Sequence, residues 1–288
     1  MKRPRSSLVA ASFAILVLGV AWIAFFVSAK NPPRRLVLAT TTSVADSGLL
    51  GVLLPPFERE RHLRVDVLAV GTGQALAIAR RGDADALLVH APGLEQEFVR
   101  SGYGVLRTCV AYNTFAVVGP TTDPAGIGTA PDVTSAFTRI ARSHTLFVSR
   151  GDGSGTEVKE WEIWKKVGLN PKGEEWYLVS GAGMGPTLMM ASEKQAYTLT
   201  DLSTYLALEP RLHLALLYPR ENRADPLLLN QYAAIAVNPK KFPHVNFEDA
   251  RALIAYLLSP AVQQKILSYG LDRFTRPLYT PLQGRCIR

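Results

Sequence analysis

From Arg34 onward, short apolar runs alternate with longer stretches in which apolar residues recur every three or four positions. The runs "RRLVLAT", "LRVDVLAV" and "ADALLVHA" read as strands, each long enough for four to eight residues of extended chain. The segments between and after them, "LLGVLLPPFERERH", "GTGQALAIARRG" and "PGLEQEFVRSG", carry the helical period. Pro55 and Pro56 predict an interruption or restart in the first of these helices, because proline supplies no N–H. "TTSVADSGL" reads as a hydroxyl-rich turn. A βαβαβα order implies a largely parallel sheet covered by helices.

A second α/β series follows. "VLRTCVAYNTFAVVGP" reads as two adjacent strand-like pieces. "DVTSAFTRIARS" is a helix, "HTLFVS" a strand and "GTEVKEWEIWKKVGL" a helix. Then come strand "EEWYLVSG", helix "MGPTLMMASEKQ", strand "AYTLTD", helical "LSTYLALEP" and strand "LHLALLYP". "LLLNQYAAIAVNP" returns as a strand, and "FEDARALIAYLLSPAVQQKILSYG" supplies closing helices broken near Pro260. The segments "AYNTFAVVGP" and "NQYAAIAVNP" share a polar-aromatic start, an apolar strand and a final turn with proline. Two such strands can carry the chain out to a second lobe and back. The expected organisation is a first lobe from residues 34–115 and 231–288 and a second lobe from 116–230.

The N-terminus changes where this protein is placed. "MKRPR" precedes an apolar run from Leu8 to Val27, and "VSA" precedes Lys30. Residues 1–29 therefore read either as a cleaved signal peptide or as an uncleaved membrane anchor, since about twenty apolar residues span a bilayer. Both readings put the rest of the chain outside the cytoplasm, secreted or anchored at the outer face of the membrane. The formal charge of +8 falls to +5 without Lys2, Arg3 and Arg5, and the remaining basic residues are scattered. A nucleic-acid surface needs clustered cations with aromatics, so no nucleic-acid partner is expected. Cys109 and Cys286 are the only cysteines. They can pair outside the cytoplasm, or Cys109 can stay a thiol buried in its apolar run. The five histidines stand apart, and no spacing points to a metal.

The chemistry concentrates in the turns after strands. "ATTTS", "VGTG" and "SRGDGSGT" are rich in Gly, Ser and Thr, as are "GAGMGPT" and "AYTLTD" later on. Ligands of open α/β sheets bind beyond the carboxyl ends of the strands. Hydroxyls and backbone N–H groups at the start of a helix suit a small oxyanion, and Arg150 adds a fixed charge and a donor fork. Asp152 orients Arg150 or accepts a proton from a protonated ligand. Enzyme motifs do not fit. "GDGSGTE" lacks the lysine of a P-loop, "GAGMG" has the wrong spacing for a dinucleotide fingerprint, and no histidine is placed by the sequence to activate Ser154. No enzyme activity and no cofactor are expected.

Taken together, "LATTTSVADSGLL", "AVGTGQAL", "GDADALLVHAP", "VAYNTFAVVGP", "SRGDGSGTEVKEWEIWKKVG", "GMGPTLMMASEKQAYTLTD" and "AAIAVNP" resemble, in order, the tungstate-binding substrate-binding proteins of ABC transporters. The resemblance implies a two-lobed α/β type II periplasmic binding protein with two crossover strands. It implies a buried tetrahedral oxyanion, tungstate, delivered to an ABC transporter permease. It places the ligand turns on Thr41, Thr42 and Ser43, on Thr72, and on Arg150, Ser154, Gly155 and Thr156, with Asp152 as the acidic neighbour. Ala182 stands where the resemblance leads one to expect glutamine, and Leu202 where it leads one to expect arginine. Molybdate or phosphate binding by the same fold, or a membrane-tethered oxyanion sensor, are the alternative readings. A hydrolase using Ser154 is the enzymatic one.

Overall fold

The computed structural model describes residues 34–220, 225–274 and 277–287. The N-terminal apolar run, with its signal or anchor reading, lies outside the described residues.

The chain begins with strand β1 (Arg34–Thr41), a short helix α1 (Thr42–Asp46) and helix α2 (Leu49–Arg61). Strand β2 (Leu63–Val70), helix α3 (Thr72–Arg80), strand β3 (Ala86–Val89) and helix α4 (Pro92–Arg100) complete the expected alternation. β1 lies between β2 and β3 and is parallel to both. Side chains alternate across these strands. Leu36, Leu38, Ala86 and Leu88 face one apolar cluster, while Ala39, Leu87 and Val89 face another. Both faces are thus covered, as parallel strands require.

Two local expectations are corrected. The stretch read as a turn after β1 is helix α1, started by Thr41, whose Oγ1 accepts from the Val44 amide at 3.4 Å. Helix α2 runs unbroken through Pro55 and Pro56. The carbonyls that lose their donors belong to Gly51 and Val52, which are exposed, so water can satisfy them. The same helix buries Leu49, Leu50, Leu53, Leu54 and Phe57, which outweighs the two lost bonds.

Strand β4 (Gly104–Gly119) is a single sixteen-residue strand rather than two pieces. Its first part pairs with β9 (Leu229–Val237), from Gly104 opposite Val237 to Thr114 opposite Leu229. Its last part pairs with β7 (Thr198–Asp201) and β8 (Ala215–Tyr218). With strand β10 (Thr280–Gly284) at one edge, the sheet order β10-β4-β9-β3-β1-β2 is therefore mixed, because β9 runs antiparallel to both β3 and β4. Within this sheet the largely parallel arrangement holds only in the opening βαβαβ unit.

Around the far half of β4 lie helix α5 (Val133–Ser143), strand β5 (Phe147–Ser149), helix α6 (Gly155–Val167), strand β6 (Tyr177–Val179), helix α7 (Met184–Lys194) and helix α8 (Leu202–Leu208). β5 and β6 are parallel, and Phe147 also bridges to Tyr197 just before β7. Helices α9 (Phe247–Leu258), α10 (Pro260–Ser268) and α11 (Leu271–Phe274) return to the first sheet. Strand β10 (Thr280–Gly284), which the sequence pattern does not announce, ends the described chain against β4.

The apolar clusters divide the same way. Two draw on residues between Leu36 and Ala111 and between Tyr232 and Tyr279. The other two draw on residues between Phe115 and Leu228, around Trp164, Phe137 and Tyr205. β4 and the start of β9 connect them. Cys109 and Cys286 form a disulfide that ties the C-terminal tail to β4 across 177 residues of sequence. Of the two possibilities open for Cys109, pairing is the one realised.

Candidate functional site

Four strand-to-helix turns meet between the two halves of the molecule. The β2–α3 turn touches the β5–α6 turn directly, since the Gly73 amide donates to the Gly153 carbonyl at 3.1 Å. The β1–α1 turn reaches the same place, because Arg150 Nη2 lies 3.3 Å from Thr42 Oγ1. The β6–α7 turn packs behind Arg150. There Gly181 N and Ser180 Oγ donate to the Arg150 carbonyl at 2.8 and 3.2 Å.

The local sequence explains the shape of the Arg150 turn. Gly151 and Gly153 both adopt positive φ, +64° and +69°, a region that favours glycine. Ser154 then caps α6, its Oγ accepting from Glu157 N at 3.2 Å. Because the cap uses an oxygen lone pair, the Ser154 hydroxyl proton stays free to donate. The first amides of α6 have no intrahelical acceptor, which makes this end attractive to an anion.

Of the residues named from the sequence, Thr41, Ser43, Thr72, Arg150, Ser154, Gly155 and Thr156 are buried, and Thr42 is half-buried. Thr72 Oγ1, Thr156 Oγ1 and Arg150 Nε are buried without a hydrogen-bond partner. Thr72 opens α3 and Thr156 lies in the first turn of α6, so the two orphaned hydroxyls come from opposite halves of the molecule. Buried polar groups without partners are rare and costly. Donors of this kind at a meeting of helix N-termini fit an oxyanion.

Arg150 is only 2% exposed and also donates to Asp152 Oδ2 at 2.5 Å. Asp152 Oδ1 in turn accepts from the Ser154 amide at 3.2 Å. Further carboxylates lie nearby. The Asp46 carboxyl is pushed above its ordinary range, first by burial and then by the charge of Asp201, with Arg150 opposing. With carboxylates this close to the guanidinium, the site is no simple cationic trap. Neutral hydroxyl and amide donors must supply much of any anion's stabilisation.

The structure adds residues that sequence reading passed over. His90, at the end of β3, is buried, with Nε2 3.4 Å from Ser43 Oγ. Burial first and Arg150's charge second, with the Asn230 side chain opposing, bring its pKa down to about 4, so the ring is neutral. The rule that placed the other turns, the carboxyl ends of strands, points to "VHAP" as well. Asn113 and Asn230 stand opposite each other on β4 and β9, bonded at 2.8 Å, and Asn113 continues to Ser203 Oγ at 3.2 Å. Ser203 Oγ donates to Asp201 at 2.5 Å. These polar residues cross-link the strands that join the two halves. Ala182 and Leu202, the departures from the expected pattern, are both half-buried, and Leu202 packs in the apolar cluster around Met184 and Tyr205.

Two α/β lobes, two connecting strands and donor-rich turns between them define a substrate-binding protein of the periplasmic type. Comparison with known proteins narrows the class. Residues 27–261 match the model of the PBP superfamily domain. The tungstate-binding protein TupA of Peptoclostridium acidaminophilum is 44% identical over 248 residues, covering 85% of each chain. The crystal structure of the tungstate ABC transporter protein from Geobacter sulfurreducens is 49% identical with a TM-score of 0.74, covering 82% of this chain and 98% of its own. The tungstate-binding protein of Desulfovibrio alaskensis is 40% identical with a TM-score of 0.73, covering 86% and 99%. The chain belongs to this family of tungstate-binding proteins of ABC transporters, within the PBP superfamily. Its place there makes it a binding protein rather than an enzyme.

Proposed function

We propose that this protein binds tungstate, a tetrahedral dianion, between its two lobes outside the cytoplasm and delivers it to an ABC transporter permease. The observation that carries the reading is the set of buried, unpartnered donors at Thr72 Oγ1, Thr156 Oγ1 and Arg150 Nε. The family's tungstate-binding members support the choice of ligand. In this reading Thr41, Thr42, Ser43 and Thr72 serve the anion from one lobe. Arg150, Ser154, Gly155 and Thr156 serve it from the other, and Asp152 orients Arg150. The lobes comprise residues 34–115 with 231–288, and residues 116–230. The partition of the apolar clusters favours that division. Residues 1–29 direct or tether the protein at the membrane.

Each charge-assisted hydrogen bond contributes roughly 1.5–3 kcal/mol. Several of them, less the desolvation of the anion and the cost of lobe closure, reach about 12 kcal/mol, the nanomolar range. Selectivity follows from size. A large oxyanion reaches every donor at once, whereas sulfate leaves some donors buried and unpaired, which costs affinity. Titration calorimetry of the chain from Lys30 onward against tungstate, molybdate, sulfate and phosphate tests this. Tight tungstate binding with weak sulfate and phosphate binding is the expected result, and no binding of any oxyanion refutes it.

A further inference from the structure

His90 lies beside the oxyanion site just proposed, and its role rests on that reading. Its ring belongs to the first lobe but touches the second. A Cβ placed on Gly155, the first residue of α6, would fall 2.6 Å from His90 Cε1 and 2.7 Å from Nδ1. That helix end can sit where it does because residue 155 is glycine and carries no Cβ to meet the ring. On its other side the ring is fixed by Tyr232 and Phe115, with centroids 5.1 and 6.1 Å away. Its Nε2 faces Ser43 Oγ at 3.4 Å, and Ser43 Oγ lies 3.1 Å from Thr41 Oγ1. Its Nδ1 has no partner within hydrogen-bond distance, and the Asn230 side chain on the strand beside it interacts with the ring and opposes the fall in its pKa. A single side chain therefore contacts a hydroxyl of one ligand turn and the helix start of the opposite one.

We propose that His90 is a positioning residue for oxyanion binding, which donates its Nε2–H to Ser43 Oγ and seats the first turn of α6 against the first lobe. The tautomer matters. A neutral imidazole has one donor and one acceptor nitrogen. If Nε2 carries the proton, Ser43 accepts from it, and the Ser43 proton remains free for the anion or for Thr41. If Nδ1 carries it, Nε2 takes the Ser43 proton and that donor is lost to the anion. The Asn230 carbonyl oxygen competes for the ring proton, so the choice of tautomer turns on what Ser43 faces; an anion needs donors, and the bound state selects the Nε2–H form.

The side-chain amide of glutamine can place an N–H near the position of Nε2, while that of asparagine reaches only to the region of Nδ1. Calorimetry with tungstate on the full chain in detergent, comparing the parent with His90→Ala, His90→Gln and His90→Asn, reads the difference. We expect His90→Ala and His90→Asn to weaken binding tenfold or more, and His90→Gln to recover most of the loss. Equal weakening in all three variants, or none, overturns the proposal. The unsubstituted chain gives an independent reading that no folding defect can blur. Nitrogen NMR of histidine-labelled protein, with the His90 signals assigned by their absence in His90→Gln, should show the Nε2–H tautomer with tungstate bound. The Nδ1–H tautomer there overturns the proposal. If the parent binds no oxyanion, the site itself is refuted. If the parent binds and Arg150→Ala abolishes binding while the His90 variants match the parent, only the role of His90 fails.

Discussion

Replacing Arg150 by alanine removes a guanidinium that is 2% exposed and reaches two partners. It bonds Asp152 at 2.5 Å and Thr42 at 3.3 Å, and its Nε is left for a ligand. In the substituted protein an anion loses one or more charge-assisted hydrogen bonds, about 1.5–3 kcal/mol each. It also meets Asp152 with no cation between them. Breaking a buried charge pair by removing one partner costs about 3–5 kcal/mol, which is on the order of a hundredfold to several thousandfold in affinity. Arg150→Lys should regain only part, because an ammonium cannot reproduce the planar fork. The carboxylate makes a sharper prediction: the double variant Arg150→Ala/Asp152→Ala should bind more tightly than Arg150→Ala alone, since the repulsion leaves with the carboxylate. Calorimetry with tungstate on each variant, with circular dichroism to verify the fold, measures all of these. If Arg150→Ala binds tungstate as tightly as the parent, the argument for this site is wrong.

Thr72→Ala and Thr156→Ala should each weaken tungstate binding by about 1–3 kcal/mol, the cost of an unsatisfied partner; calorimetric affinities equal to the parent's would remove these hydroxyls from the site. Glu160 is buried, accepts from Tyr177 OH at 2.6 Å and Trp164 Nε1 at 3.1 Å, and burial raises its pKa to about 7. A raised carboxyl favours the folded state below its unfolded pKa, and that contribution is lost as pH rises through the folded value. Relative to Glu160→Gln, the parent should therefore lose about 3 kcal/mol of stability between pH 4.5 and pH 8. Denaturant unfolding of both proteins checks it, and a pH-independent difference contradicts it. Cys109→Ala/Cys286→Ala opens a closure spanning 177 residues and should cost about 2–5 kcal/mol of stability. Tungstate affinity at 25 °C should change little, because the bond lies away from the four turns.

The elements with strong periodicity were legible before the structure: the opening βαβαβ unit, the helices from Val133 to Lys194 and the break at Pro260 all follow local pattern. Strand β4 was less legible because Arg107 and Thr108 interrupt its apolar run. Its register shifts there, and Leu106 sits at φ +56°. Strand β10 carries Pro281 and no alternation. It is held from a distance, by the disulfide and by Gln263 Oε1 accepting from the Gln283 amide at 2.9 Å. The ligand turns could be read because glycine and hydroxyl residues cluster in sequence. His90, Asn113 and Asn230 could not, because each stands alone along the chain and gains meaning only from neighbours brought by the fold.

Diffraction at the tungsten absorption edge, from crystals grown with tungstate, locates the anion without relying on any variant. The account predicts one dominant anomalous peak between the β2–α3 and β5–α6 turns, with anion oxygens within hydrogen-bond distance of Thr72 Oγ1, Thr156 Oγ1 and Arg150. A dominant peak anywhere else, or a peak there with these three groups turned away from it, contradicts the account.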